Sequence, residues 1–427
     1  METKKVLVLT YYWPPSGGSG VQRWVYFTKY LSLFGITPTV ITVNERLASY
    51  PSEDNSLLEE IKSIRSFKTK TFEPLGLYSL LKSGNRKKII PQGNVGGNKK
   101  SVFDKVATYI RANYFIPDAR VGWNFFAYRK AVELIKKEHF DLIITTGPPH
   151  STHLVGQKLK KEFGIKWLAD FRDPWTEVYY NNLFKRTKRN SIRDKEMESS
   201  VLNSADVILT VGPSMLELLN QKIKSSTQNS FYIYNGYDEL KFENLKKDNN
   251  ETFTIRYTGT LTKNYPYLSF IQALNKIDKG ISFTIEFIGN IEESVQSDIK
   301  KESIHPITFI KNISHNEIVK VMKNSDLLLL FLPYTEFSKI MLTGKLFEYI
   351  ATQNPILCIG DKITDAAQIV GDIENSIVCE PNEIEKINSF ISQTLQNRHN
   401  LSSSIDPKIY GRKYNTQKLA EIIHKSI

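Results

Sequence analysis

Short apolar runs alternate with segments of helical periodicity along this chain, and the whole alternation occurs twice. Lys5–Thr10, Thr37–Thr42, Asp141–Thr145, Lys166–Ala169 and Asp206–Thr210 read as a first series of strands. Phe253–Tyr257, Phe283–Phe287, Ile307–Ile310, Leu327–Phe331 and Pro355–Cys358 read as a second. Runs such as Val6-Leu7-Val8-Leu9 lack polar alternation, which suits strands covered on both faces in a parallel sheet. Between them Val21, Trp24, Val25, Phe27, Leu31 and Phe34 recur at helical spacing, and Phe125–Lys137 and His150–Phe163 read as further helices. A chain of 427 residues exceeds one typical core. The expectation is two α/β domains, doubly wound and Rossmann-like, facing a central cleft with ligand at the carboxyl ends of the strands. The lysine- and asparagine-rich Lys241–Glu251 reads as the linker and Thr416–Ile427 as a final helix. Residues 44–103 give no clear alternation; their Gly93–Lys100 run reads as a loop.

Cys358 and Cys379 fall in separate elements, which argues against a disulfide scaffold. No His, Cys and carboxylate spacing resembles a metal site, so no metal is expected; no cofactor is expected either. The first residues lack the long apolar region of a signal peptide, and the longest apolar run, Leu327–Leu332, is too short to span a bilayer. A cytoplasmic protein is expected. Its charge is uneven. Residues 1–200 carry 33 Lys+Arg against 19 Asp+Glu, a net +14; residues 201–427 carry 24 against 26, a net −2. The basic half suits an anionic surface: lipid, nucleic acid or a phosphorylated substrate.

The segment Leu342–Ala351 is the most informative local motif. Thr343-Gly344 can open a helix, and Lys345 and Glu348, three apart, share one face near its start. A helix N-terminus favours phosphate, a lysine adds a point charge, and a carboxylate accepts sugar hydroxyls. A diphosphate beside a ribose fits that pair, and so does an ordinary surface lysine and glutamate.

Several strand ends carry further candidates. Gly17-Gly18-Ser19-Gly20 follows the first strand and could approach a phosphate or acceptor, or serve as a plain turn. A dinucleotide fingerprint does not fit its spacing. Asp170-Phe171-Arg172-Asp173-Pro174-Trp175 places two carboxylates and a guanidinium after a strand. Asp173 could align or deprotonate an acceptor hydroxyl; an Arg172–Asp pair could equally pin the loop. His150 and His153 could contact a sugar, or cap and pack their helix. In the second series Gly259 permits close backbone approach, Lys263 could reach a diphosphate or lie solvated, and Ile310 sits where a base could rest.

With these residues assembled, the chain resembles the family-4 glycosyltransferases of the GT-B fold over nearly its whole length. The Asp141–His153 strand and Pro-Pro turn, the Phe171–Trp175 loop, the Tyr234–Asp238 turn, the Gly259–Lys263 loop and Lys345-x-x-Glu348 before Asn354-Pro355 carry the likeness. It implies an acceptor-binding domain over 1–240 and a sugar-nucleotide domain over 241–408. Residues 409–427 would cross back to the first domain. It implies Glu348 on the ribose, Lys345 and Lys263 on the diphosphate, Gly259, Gly344 and Ile310 around the donor, no divalent metal, and retention at the anomeric carbon. Arg172, Asp173 and His150 become the catalytic candidates, and Gly17 and Gly18 an acceptor or phosphate loop. Two departures stand out: Ile340 replaces a second glutamate, and Thr260 replaces an arginine after the glycine.

The expected activity is transfer of a hexose or N-acetylhexosamine from a nucleotide diphosphate sugar to a hydroxyl acceptor, such as a lipid-linked envelope saccharide. Basic stretches at Arg86–Ile90 and Leu183–Arg189 could hold the chain at the inner membrane face, or lie solvated. Ile340 and Thr260 leave open a catalytically inactive sugar-nucleotide-binding or partner protein. Nucleic-acid binding rests on charge alone and is not expected.

Overall fold

The computed structural model describes residues 3–73, 109–177, 186–224, 229–243, 245–248, 251–311, 313–398 and 405–427. The Arg86–Ile90 and Gly93–Lys100 stretches lie outside them, as do residues 183–185. Contacts divide the chain into residues 1–234 with 415–427, and residues 235–414.

The first unit holds β1 (Lys4–Leu9), α1 (Ser19–Leu31), β2 (Ile36–Val43), β3 (Arg65–Thr69), α2 (Asn124–Ile135), β4 (Leu142–Gly147), α3 (Ser151–Phe163), β5 (Lys166–Phe171), α4 (Lys188–Ser204), β6 (Val207–Thr210), α5 (Pro213–Asn220) and β7 (Asn229–Tyr232). Its described strands form one parallel sheet in the order β3-β2-β1-β4-β5-β6-β7. Val6, Leu7, Val8 and Leu9 of the central β1 are wholly buried, as an apolar run covered on both faces requires. One core joins Val6 and Val8 to Trp24, Val25, Leu142, Ile144, Leu168 and Leu209. Positive φ (102°) at Gly18 lets the chain turn into α1.

The second unit holds β8 (Phe253–Thr258), α6 (Tyr267–Leu274), β9 (Phe283–Ile288), α7 (Glu293–Glu302), β10 (Thr308–Ile310), α8 (His315–Lys323), β11 (Leu327–Phe331), α9 (Gly344–Thr352), β12 (Ile356–Ile359), α10 (Asp365–Gly371), β13 (Ile377–Cys379) and α11 (Ile384–Gln396). The parallel order is β10-β9-β8-β11-β12-β13. Tyr257, Phe270, Phe287, Leu329 and Phe331 lie at the centre of its core. The last helix, α12 (Arg412–Ser426), places Leu419, Ala420 and Ile423 in the first unit's core.

Four expectations need correction. The edge strand β3 has the sequence Arg-Ser-Phe-Lys-Thr and lacks an apolar run; its pairing with β2 (Thr39 beside Arg65) makes it a strand. The unit boundary falls between Tyr234 and Asn235, because Tyr237 pairs with Gly411 and accepts from the Arg412 amide. The last helix starts at Arg412. Asp170 and Phe171 belong to β5, where they pair with Thr146 and Gly147 of β4, and not to the loop after it.

Candidate active site

In the second unit, the carboxyl end of β8 meets the amino end of α9. The Thr343 side chain makes no capping hydrogen bond at the start of α9. Lys345, in the first turn, turns inward. Its Nζ donates to the Tyr257 hydroxyl at 2.7 Å and lies 4.1 Å from the ring centre. A Cβ added to Gly259 would sit 3.6 Å from that nitrogen, so the ammonium lies directly under the exposed glycine loop. Desolvation pulls the Lys345 pKa down to about 7, although its side chain keeps some exposure. One turn on, Glu348 is half-buried. Lys263 is exposed, and its N–H donates to Glu292 at 3.4 Å. Ile310 ends β10; its carbonyl accepts from Gly289 at 2.9 Å. Gly289 in turn packs on Gly259, where an added Cβ would come within 2.3 Å of the Gly259 carbonyl oxygen. Thus Gly259, Gly344 and Lys345 come together, with Glu348 one turn along α9.

In the first unit, the ends of β4 and β5 and the first turn of α1 converge on Arg172. Its amide and Nε donate to the Gly147 carbonyl at 3.0 and 3.2 Å, and Nη2 donates to the Pro148 carbonyl. Its guanidinium also lies against Gly20, where an added Cβ would meet Nη1 at 1.9 Å. Arg172 makes no ion pair among the described residues; two carbonyls, not an aspartate, pin it. Burial lowers its pKa, with Asp173 and Asp170 opposing. Asp173 keeps an exposed edge, yet desolvation by the atoms packed around it raises its carboxyl pKa against the pull of Arg172.

Asp170 lies behind this loop, wholly buried. It accepts from Arg23 Nε and Nη2 at 3.2 and 3.0 Å, Trp24 Nε1 at 2.6 Å and Thr146 Oγ1 at 2.8 Å. His150 is also behind the loop. It stacks on Trp175 (5.2 Å, 10°), its Nε2 lies 3.2 Å from the Pro174 carbonyl, and burial with the neighbouring His153 drives its pKa well down. His153 lies 2.8 Å from Thr145 Oγ1, and desolvation lowers its pKa to about 3. Both imidazoles are neutral packing groups that support residues 171–175, rather than groups open to a substrate. Gly17 is buried, its N–H donating to the Ser52 carbonyl at 2.9 Å, whereas Gly18 is exposed.

Tyr257, Tyr349, Arg23 and Trp24 escaped the sequence reading. Tyr257, Tyr349 and Trp24 look like ordinary periodic core positions and Arg23 like a solvated helix position; Tyr257, two before Gly259, and Tyr349, inside the Leu342–Ala351 motif, carried a positional signal. Of the expected basic stretch at 183–189, Arg186 pairs with Asp194 and donates to the Pro117 carbonyl, so it is committed internally. Among the described residues no helix is long and apolar enough to cross a membrane.

Residues 93–239 match the family model of Glycosyltransferase Family 4. No curated protein shows significant sequence similarity. Anabaena HepE in complex with UDP and glucose is similar in structure at 13% identity, with 99% of this chain and 100% of that chain covered and a TM-score of 0.58. A trehalose-phosphate synthase from Burkholderia xenovorans matches at 10% identity, 99% of both chains and TM-score 0.56. The lipopolysaccharide outer core galactosyltransferase WaaB matches at 12%, 99% and 97%, and 0.53. At these identities the likeness fixes the fold alone: the chain has the GT-B fold.

Proposed function

We propose that this protein is a metal-independent, retaining glycosyltransferase that moves a hexosyl group from a nucleotide diphosphate sugar to a hydroxyl of a lipid-linked or envelope saccharide. The observation that carries the reading is the Lys345 ammonium docked under the Gly259 loop at the start of α9, with Glu348 one turn along. A departing diphosphate gathers negative charge, and preorganised N–H groups with one desolvated cation stabilise that charge as it develops. Lys345 and the N–H groups of Gly344 and Lys345 take the diphosphate, with Lys263 at the exposed side. Glu348 accepts the ribose hydroxyls. Arg172 and Asp173 are the catalytic candidates of the first unit, with Gly18 presenting backbone at the mouth of the glycine turn. The net +14 of residues 1–200 supports binding of an anionic acceptor or lipid surface there.

Thermal shift with UDP-, GDP- and ADP-sugars, beside Glu348→Ala, tests this. One donor stabilises the wild type and stabilises the variant less. No stabilisation by any donor refutes the reading. Ile340, which ends a short turn (Ser338–Ile340) before α9, supplies no carboxylate and favours a second reading, a binding protein without turnover. That protein would be stabilised by a donor and never consume it, whatever saccharide acceptor is added.

A further inference from the structure

We propose that Tyr257 is a positioning residue for the donor diphosphate: its hydroxyl fixes the Lys345 ammonium beneath the Gly259 loop with donors left over for phosphate. The inference rests on the donor reading above. An ammonium has three N–H donors. One goes to the Tyr257 oxygen at 2.7 Å, which leaves two. Among the described residues Lys345 forms no ion pair, so this hydroxyl and the face of the same ring (4.1 Å) hold it. A lysine otherwise samples many rotamers, and fixing one removes that entropy cost from ligand binding.

Tyr257 is built to act as a fixed post. The residue is fully buried and its ring stacks on Phe331 at 5.3 Å and packs on Phe287 at 5.7 Å. Its hydroxyl proton is committed to the Thr260 carbonyl at 2.6 Å, so a lone pair remains for the lysine. Burial raises its pKa strongly and keeps the hydroxyl neutral. Tyr349, one turn beyond Lys345, repeats the device. Its hydroxyl accepts from the Thr258 N–H at 2.9 Å and lies 3.0 Å from Thr258 Oγ1. The two tyrosines thus lock the start of α9 to the end of β8. Thr260 adds no charge to the loop and Lys263 is exposed, which leaves Lys345 as the fixed cation there.

The test is titration of full-length wild type, Tyr257→Phe and Lys345→Ala with UDP, GDP and ADP and their parent nucleosides. Tyr257→Phe keeps the ring, and a thermal melt checks its fold. For the base the wild type accepts, the diphosphate Kd rises about tenfold in Tyr257→Phe while the nucleoside Kd stays unchanged. Adding Tyr257→Phe to Lys345→Ala weakens diphosphate binding no further. If Lys345→Ala loses the preference for diphosphate over nucleoside and Tyr257→Phe keeps it, the inference fails and the donor reading stands. Equal weakening toward nucleoside and diphosphate also overturns it, since that marks a structural role. If the wild type binds no diphosphate, the donor reading itself fails.

Discussion

Replacing Asp170 with alanine should remove a large part of the first unit's stability. Both side chains of the Arg23–Asp170 pair are wholly inaccessible to water. Removing one partner of a buried pair leaves an uncompensated charge, at about 3–5 kcal/mol. Trp24 Nε1, 2.6 Å from Oδ2, also loses its acceptor, at about 1–3 kcal/mol. The Thr146 hydroxyl can rotate, so it adds little. Allowing for non-additivity, the loss is roughly 4–7 kcal/mol, against a typical total of about 5–15 kcal/mol. Urea unfolding followed by tryptophan fluorescence reads this unit selectively, because Trp13, Trp24, Trp123, Trp167 and Trp175 all lie in it. Asp170→Asn keeps an acceptor oxygen and should lose less. A stable Asp170→Ala, within about 1 kcal/mol of wild type, would refute the assignment of this carboxylate to the scaffold.

Two glycines should behave differently. Gly289→Ala meets the Gly259 backbone at positive φ (129°), so it should lower the melting temperature and abolish diphosphate binding together. Gly20→Ala meets the Arg172 guanidinium, which must give up hydrogen bonds to Gly147 and Pro148 to move, so melting should fall less than in Gly289→Ala while transfer drops at least tenfold. Diphosphate affinity should weaken as pH rises above 7, because the free Lys345, pulled down to about 7, must regain a proton to meet the anion. The loss is at most about tenfold per pH unit, less for a partly exposed side chain, while Tyr257, Tyr349 and Cys358 beside it are shifted upward and stay neutral. Lys345→Arg should flatten the profile; a flat wild-type profile contradicts this. Proton NMR of the freshly released or transferred sugar should show the donor's anomeric configuration retained, and inversion would remove that part of the proposal.

The sequence makes central strands legible because they are buried on both faces; β1 and β11 are continuous apolar runs. It hides edges. β3 has one solvent-facing side and reads as polar, and β13 spans only Ile377–Cys379. The Lys345–Glu348 spacing announced a helix face because both residues lie on one element. Asp170 could not be separated from Asp173 by spacing. Strand register decides that Asp170 points into the Arg23 and Trp24 network while Asp173 remains exposed. His150 likewise looked available to a sugar until the stacking on Trp175 enclosed it. Tyr257 meets Lys345 only through the packing of α9 on β8, a contact between residues 88 positions apart.

The most direct test of the transferase assignment is release of nucleoside diphosphate from UDP-, GDP- and ADP-sugars, with and without saccharide acceptors, by wild type, Lys345→Ala and Glu348→Ala. One donor should be consumed by the wild type and at least tenfold more slowly by each variant. Consumption of no donor, or equal consumption by all three proteins, would contradict that assignment.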